Sequence, residues 1–401
     1  MKTYIKIIHP NMKFIDLFCG IGGFHVALTG MGHECVFACD IDADCRDVYK
    51  TNHGIEPGSD IKKVDEKELP DFDILCAGVP CQAFSHSGKQ QGFEDETRGT
   101  LFFDVFRILE FKQPTYFIIE NVRNLYGHDK GNTWKTIRRH IKELGYETYD
   151  KPIMMNPLHL GIPQNRDRVF IVGVLARHGS LKEYPTYDKK PSALNSILQK
   201  DDEITSNTLK KVAINDEVVA VLHKWEELVQ HFKEIGDRRK LPGFPIWTEC
   251  WDSDEAVDDL PKWKADFVTK NREFFEQNTT YLSGWLREAR NIPKFAGAMR
   301  KLEWQCGDFQ EDDSLWNLVF QFRPSGIRVK RGDYSPALVA MTQIVHLGSK
   351  KRKLTPREVA RLQSFPESFK MHLNHAKAYK QFGNSVNVKV VEHVAKFLLE
   401  G

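Results

Sequence analysis

Pro80-Cys81-Gln82 sets a cysteine just past the short apolar run Asp73-Ile74-Leu75-Cys76-Ala77. The residues after it, Ala83-Phe84-Ser85 and Ser87-Gly88-Lys89-Gln90-Gln91-Gly92-Phe93, have the composition of a mobile loop. A cysteine attacks as its thiolate, which needs partial exposure and electropositive neighbours; the competing reading is a small buried hydrophobe. Two further groups could serve such a nucleophile. Tyr116-Phe117-Ile118-Ile119 ends in Glu120-Asn121-Val122. A carboxyl directly after four apolar residues is expected to be partly desolvated at a sheet edge, where it can hold a proton near neutral pH. Gln164-Asn165-Arg166-Asp167-Arg168 precedes another apolar run. Arginines at i and i+2 of an extended chain share one face, a clamp for a carbonyl, a phosphate or an active-site carboxylate. A surface salt-bridge cluster is the alternative there.

Asp16-Leu17-Phe18-Cys19-Gly20-Ile21-Gly22-Gly23 brings glycines to a strand-to-helix turn, where a ligand can come close to the backbone. It is not a full dinucleotide fingerprint, because His25 stands where a third spaced glycine would be. Asp40, ending a second apolar run, is placed to hold a ribose hydroxyl. Asp60-Ile61 offers an acceptor for an adenine amino group beside an apolar face, and for each acid a helix cap or turn is the alternative. Gly383-Asn384-Ser385-Val386 opens a last helical pattern, Val388 to Leu398, and reads as its N-cap.

These groups must be positioned by the elements around them. Lys13 to Phe18, Glu34 to Ala38, Asp73 to Ala77, Tyr116 to Ile119 and Arg168 to Val174 read as strands. Between them lie helical patterns, among them Phe24 to Met31, Asp42 to Asn52, Thr100 to Phe111 and Thr133 to Leu144. Such alternation predicts an α/β fold with a parallel sheet, whose carboxyl edge is where ligands bind. After Leu175 the alternation stops, and seven of the eight tryptophans fall between residues 176 and 353. Tryptophans at that density build a core more often than they stack on bases. The organisation expected is one domain from residues 1–175 and 378–401, interrupted by a second at 176–377.

Bulk properties narrow the class. A chain of 401 residues exceeds one typical core. With 41% apolar and 28% charged residues it reads as a soluble globular protein. No run approaches the roughly eighteen apolar residues of a membrane span, and Met1-Lys2-Thr3-Tyr4-Ile5-Lys6 lacks the apolar core of a signal peptide, so a cytoplasmic protein is expected. The eight cysteines include no Cys-x-x-Cys pair, which speaks against structural zinc and, in a reducing compartment, against disulfides. The net charge is +2, yet Gln321 to Arg361 carries +8 and the remainder −6. A local basic patch suits a polyanion such as DNA; a solvated surface is the plainer account.

Taken in order, six segments resemble the cytosine-5 DNA methyltransferase family of the bacterial restriction-modification type. They are Phe18-x-Gly20-x-Gly22-Gly23, Pro80-Cys81-Gln82, Glu120-Asn121-Val122, Gln164-x-Arg166-x-Arg168, Arg357-Glu358-x-x-Arg361-Leu362-Gln363 and Gly383-Asn384-Ser385-Val386. The resemblance covers residues 13–174 and 354–400, about half the chain. It implies a Rossmann-like S-adenosylmethionine-dependent methyltransferase sheet with a smaller inserted target-recognition domain. It also implies transfer of a methyl group from S-adenosylmethionine to carbon 5 of a flipped-out cytosine in a short double-stranded DNA sequence. Cys81 would add to carbon 6, Glu120 would bond ring nitrogen 3 and the exocyclic amine, Arg166 would contact the cytosine carbonyl, and Arg168 would assist.

By the same resemblance Phe18, Gly20, Gly22, Gly23, Asp40, Ile41, Asp60, Ile61, Pro80, Leu101, Asn384 and Ser385 would surround the cofactor. Asp40 stands where the family more often has glutamate, which keeps the carboxylate. The loop from Gln82 to Gly99 would close over the flipped base, with Gln82, Ser85, Ser87, Lys89 and Arg98 touching DNA. S-adenosylhomocysteine would be the product, no metal is expected, and the protein would act as a monomer. A cognate restriction endonuclease would share the site without stable contact. Three rivals stand beside this reading: a transfer-RNA cytosine methyltransferase, an inactive DNA-binding module and a nicotinamide oxidoreductase.

Overall fold

The computed structural model describes residues 11–80, 100–235, 240–253, 256–338 and 343–400. Cys81, Gln82, Ser85, Ser87, Lys89 and Arg98 lie outside them. Two compact units emerge, the first from residues within 1–192, 336–342 and 356–401, the second within 193–335 and 343–355.

In the first unit, four parallel strands stand in the spatial order β2-β1-β3-β4: β1 (Lys13–Leu17), β2 (Glu34–Cys39), β3 (Ile74–Gly78) and β4 (Tyr116–Val122). Helices α1 (Gly23–Gly30), α2 (Ala43–His53) and α3 (Thr100–Lys112) make the crossovers. The strands are apolar runs because both faces are covered: Ile74 through Ala77 and Phe117 through Ile119 are fully buried. A one-turn helix α4 (Asn124–Gly127) and α5 (Asn132–Glu143) then lead to β5 (Tyr146–Thr148), β6 (Ile153–Met155), β7 (Gln164–Asn165) and β8 (Arg168–Leu175).

Here the expectation of a parallel sheet holds for the first four strands and is corrected for the rest. β8 pairs antiparallel with β4, and β5 and β6 pair antiparallel with β8, making a mixed seven-stranded sheet. A parallel return needs a crossover of a dozen or more residues, usually helical. Between β6 and β8 the only helical element is a 3-10 turn, Pro157–Leu160, followed by the two-residue β7, too short for a crossover, so the chain folds back. The architecture is α/β and Rossmann-like in its first four strands.

The units divide at other residues than the change in sequence texture. Residues 356–377 belong to the first unit, where Val359, Ala360 and Leu362 are fully buried and Phe365 packs on Phe382. Gln363 donates to the Phe382 carbonyl and accepts, through its own carbonyl, from Val388 N–H. The last helix, Val388–Glu400, is capped by Asn387, whose Oδ1 accepts from Val390 N–H. Asn384 instead ends the preceding helix, His375–Asn384, so the expected cap moves three residues on.

The second unit joins a six-stranded sheet to helices Asp216–Ile235, Lys262–Gln277 and Thr279–Arg290. Trp225, Trp251, Trp285 and Trp304 are core residues, while Trp263 is exposed. The cations of Gln321–Arg361 are shared between the units and largely engaged. Glu303 holds both Arg323 and Arg328, Asp313 holds Arg331, and Asp201 holds Lys350. In the first unit Arg361 pairs with Glu367, and Arg357 donates to the Phe369 carbonyl. No helix among the described residues is long and apolar enough to cross a membrane.

Candidate active site

The glycine turn after β1 is shaped by what crowds it. Phe18 and Gly20 sit at φ 53° and 54°, and Gly22, at φ 90°, starts α1. A Cβ at Gly22 would lie 2.3 Å from His53 Nε2, and one at Gly23 2.6 Å from the Val386 side chain. Larger residues at either position would push the turn off α2 and off the Ser385-Val386 segment. Gly20, by contrast, faces open space.

Beside that opening, the Asp40 carboxylate accepts from Gly20 N–H and Asp42 N–H, both at 2.8 Å. Burial pushes the Asp40 carboxyl up, against the pull of those two N–H groups. Ile41 next to it is 79% exposed, a large apolar side chain with nothing over it. A carboxylate with lone pairs to spare, an uncovered apolar surface and an open glycine backbone fit a nucleoside. Asp60 caps a short turn through Lys62 N–H, as its plainer reading had it, and Ile61 is buried in the core. Leu101 packs partly buried against that core, Pro80 is exposed past the end of β3, Asn384 is exposed and Ser385 is buried.

Behind the turn lies a polar cluster. His53 Nε2 is 3.3 Å from the Ile21 carbonyl, and its ring stacks on His25 at 3.9 Å. His25 Nδ1 shares a hydrogen bond of 2.8 Å with the Tyr49 hydroxyl. Burial, with His53 as a neighbour, drives the His25 imidazole down to about 3. Burial likewise raises the fully enclosed Asp16 carboxyl well above the carboxylate range.

The chemistry gathers at the edge where β3 and β4 end. Gly78 is in register with Glu120, so the chain leaves β3 toward Pro80 at the level of that carboxyl. Asn121, buried, donates to the Val79 carbonyl at 3.2 Å and ties the two motifs together. Arg168 is in register with Val122. Its Nε lies 2.9 Å from Glu120 Oε1, an ion pair rather than an aligned hydrogen bond, and its Nη1 donates to the Asp167 carbonyl.

The two arginines do not share a task. Arg166 precedes β8, is 3% exposed, and donates to the carbonyls of Leu338 at 2.8 Å and Ser385 at 3.0 Å. It joins this edge to the segment beside the glycine turn, while Arg168 pairs with Glu120. Sequence reasoning passed over Asn156. It is fully buried, and its amide reaches both Asn165 and Asp167. The Asn-Pro dipeptide was the available signal, and it announces a turn without saying what the amide holds.

The model of the family described as C-5 cytosine-specific DNA methylase matches residues 12–400. The chain is similar to the type II methyltransferase M.AluI of Cellulosimicrobium cellulans, 33% identical over 97% of this chain and 92% of the relative. It is similar to M.HhaI of Haemophilus parahaemolyticus, 34% identical over 96% and 93%. Among solved structures, a methyltransferase of Entamoeba histolytica aligns with TM-score 0.57 over 97% of this chain and 98% of that one; at 14% identity it speaks for the fold alone.

Proposed function

We propose a residue-level mechanism from one premise: the chain belongs to the C-5 cytosine-specific DNA methylase family and methylates cytosine in DNA. Carbon 5 of cytosine is a poor nucleophile, so the ring must first be made electron-rich. The Cys81 thiolate adds to carbon 6 and turns carbon 5 into an enamine-like nucleophile. Glu120 bonds ring nitrogen 3 and the exocyclic amine, stabilising charge as it develops. Arg168, held against Glu120, takes the carbonyl-facing part that the resemblance gave to Arg166, and Arg166 serves as the link to Ser385. The observation that carries this reading is the 2.9 Å Arg168–Glu120 pair at the edge where β3 leads to Pro80.

S-adenosylmethionine, when bound, supplies an electrophilic methyl group on a sulfonium sulfur. Gly20 and Gly22 would admit it to the backbone, Asp40 would hold the ribose and Ile41 would cover the adenine. After transfer, loss of the carbon 5 proton to a base lets the Cys81 sulfur leave by elimination. The target base cannot be reached inside a duplex and must be flipped out, at roughly a few kcal/mol. The second unit is the proposed reader of the surrounding sequence.

Bisulfite sequencing of DNA from cells expressing the protein tests this. The expected result is protected cytosine at one position of one short sequence. Methyl groups found only in RNA, with no protected site in DNA, would favour a transfer-RNA enzyme instead.

A further inference from the structure

The buried amide of Asn156 has four hydrogen-bonding positions, and all four are filled. Its Oδ1 accepts from Leu158 N–H at 3.0 Å and Arg166 N–H at 3.4 Å. Its Nδ2 donates to Asn165 Oδ1 at 2.8 Å and Asp167 Oδ1 at 2.7 Å. An asparagine side chain has two acceptor lone pairs and two N–H donors, so nothing is left over. Asp167 passes the restraint on. Its other carboxylate oxygen takes Arg123 at 3.0 Å, just past β4, and its main-chain carbonyl takes Arg168 Nη1 at 2.9 Å. Burial would raise the Asp167 carboxyl, but the hydrogen bonds from Asn156 and Arg123 outweigh it and hold it below its ordinary value.

Resting on the mechanism above, we propose that Asn156 and Asp167 are positioning residues, a buried brace that fixes the Arg168 guanidinium on Glu120 and so sets the geometry for cytosine activation. The plainer account is a helix cap, since Asn156 does cap the turn Pro157–Leu160. A cap, however, uses only Oδ1. The two donors reach away from that turn to the residues between the arginines, where capping gains nothing. Arg123–Asp167 and Arg168–Glu120 then form two ionic ties between the end of β4 and the start of β8.

Three variants separate the accounts. Asn156→Ser keeps an acceptor for Leu158 N–H, since serine is a good cap, but cannot span to Asn165 and Asp167 together. Asn156→Asp puts two carboxylates in contact. The double variant Asn156→Asp with Asp167→Asn reverses the donor and acceptor of the same hydrogen bond and restores the buried charge. Each is scored for single-turnover methylation, S-adenosylmethionine affinity, melting temperature and the NMR signal of the Arg168 Nε–H, assigned by its loss in Arg168→Lys.

Asn156→Ser should melt near wild type and bind cofactor within about threefold, yet lose rate roughly a hundred-fold, the effect of about 1 Å of misplacement. The Arg168 signal should broaden. The double variant should recover at least about tenfold over Asn156→Asp alone and sharpen the signal again. Full activity of Asn156→Ser, or a double variant no better than Asn156→Asp, would leave Asn156 a cap and overturn the proposal. The NMR arm needs no turnover. If wild type failed to methylate DNA while the signal still followed the brace, the mechanism would fail and the brace would stand.

Discussion

In the proposed mechanism the chemistry turns on Glu120. The residue is 8% exposed and its carboxyl faces Arg168. Glu120→Gln keeps the size but loses the acid group that can give a proton to ring nitrogen 3 as thiolate addition drives negative charge onto the ring. A well-placed group of this kind is worth roughly a hundred-fold or more. The single-turnover rate should fall by that factor, with DNA and cofactor affinity within about twofold, whereas a rate within a factor of two of wild type would remove Glu120 from the mechanism. Motifs singled out Glu120 and the arginine pair in the sequence, and the structure brings Glu120 and Arg168 together. Which arginine meets the carboxyl was not legible there, because residues at i and i+2 share a face only if both are in the strand. Arg168 begins β8 and Arg166 lies before it.

At the scale of elements, four strands and their crossovers were legible because burial on both faces leaves an apolar run between helical patterns. The direction of β8 was not, since an apolar run reads alike either way along the sheet. Only an antiparallel β8 brings its first residue, Arg168, to the carboxyl end of β4. Elements also carry a pH dependence. His25 on α1 is held near 3, far below an unfolded histidine at about 6.5. The unfolded chain therefore binds a proton that the folded chain refuses, so stability present above about pH 6.5 is lost as pH falls below it. The term amounts to about 2 kcal/mol between pH 7 and 5. Denaturant melts across that range should show His25→Gln, which cannot titrate, losing less stability than wild type. Parallel profiles would mean that His25 is not the group responsible.

Over the whole molecule, the interrupted organisation was legible from the concentration of tryptophans. The boundaries were not, because the amphipathic helix Pro356–Leu362 follows a basic stretch and gives no compositional sign of packing in the other core. Nor does charge along a sequence show its pairing: Glu303, Asp313 and Asp201 each hold cations that the segment count left free. Sequence choice is proposed to reside in the second unit. Exchanging residues 193–335 and 343–355 for the matching region of a related methyltransferase should change the methylated site while cofactor binding stays intact. An active exchange product that kept the original site would refute the assignment.

The covalent step is the central claim, and one substrate tests it directly. A duplex carrying 5-fluorocytosine at the target position offers fluorine where turnover needs a leaving proton, and fluorine cannot leave as a cation. The Cys81 thiol should add, the methyl should transfer, and the reaction should stop as a complex that survives denaturing electrophoresis. Its formation should require S-adenosylmethionine, peptide mapping should place the bond on Cys81, and Cys81→Ala should abolish it while still binding cofactor. A wild-type protein that methylates ordinary DNA yet never traps on the fluorinated site, or traps through another cysteine, would contradict the account.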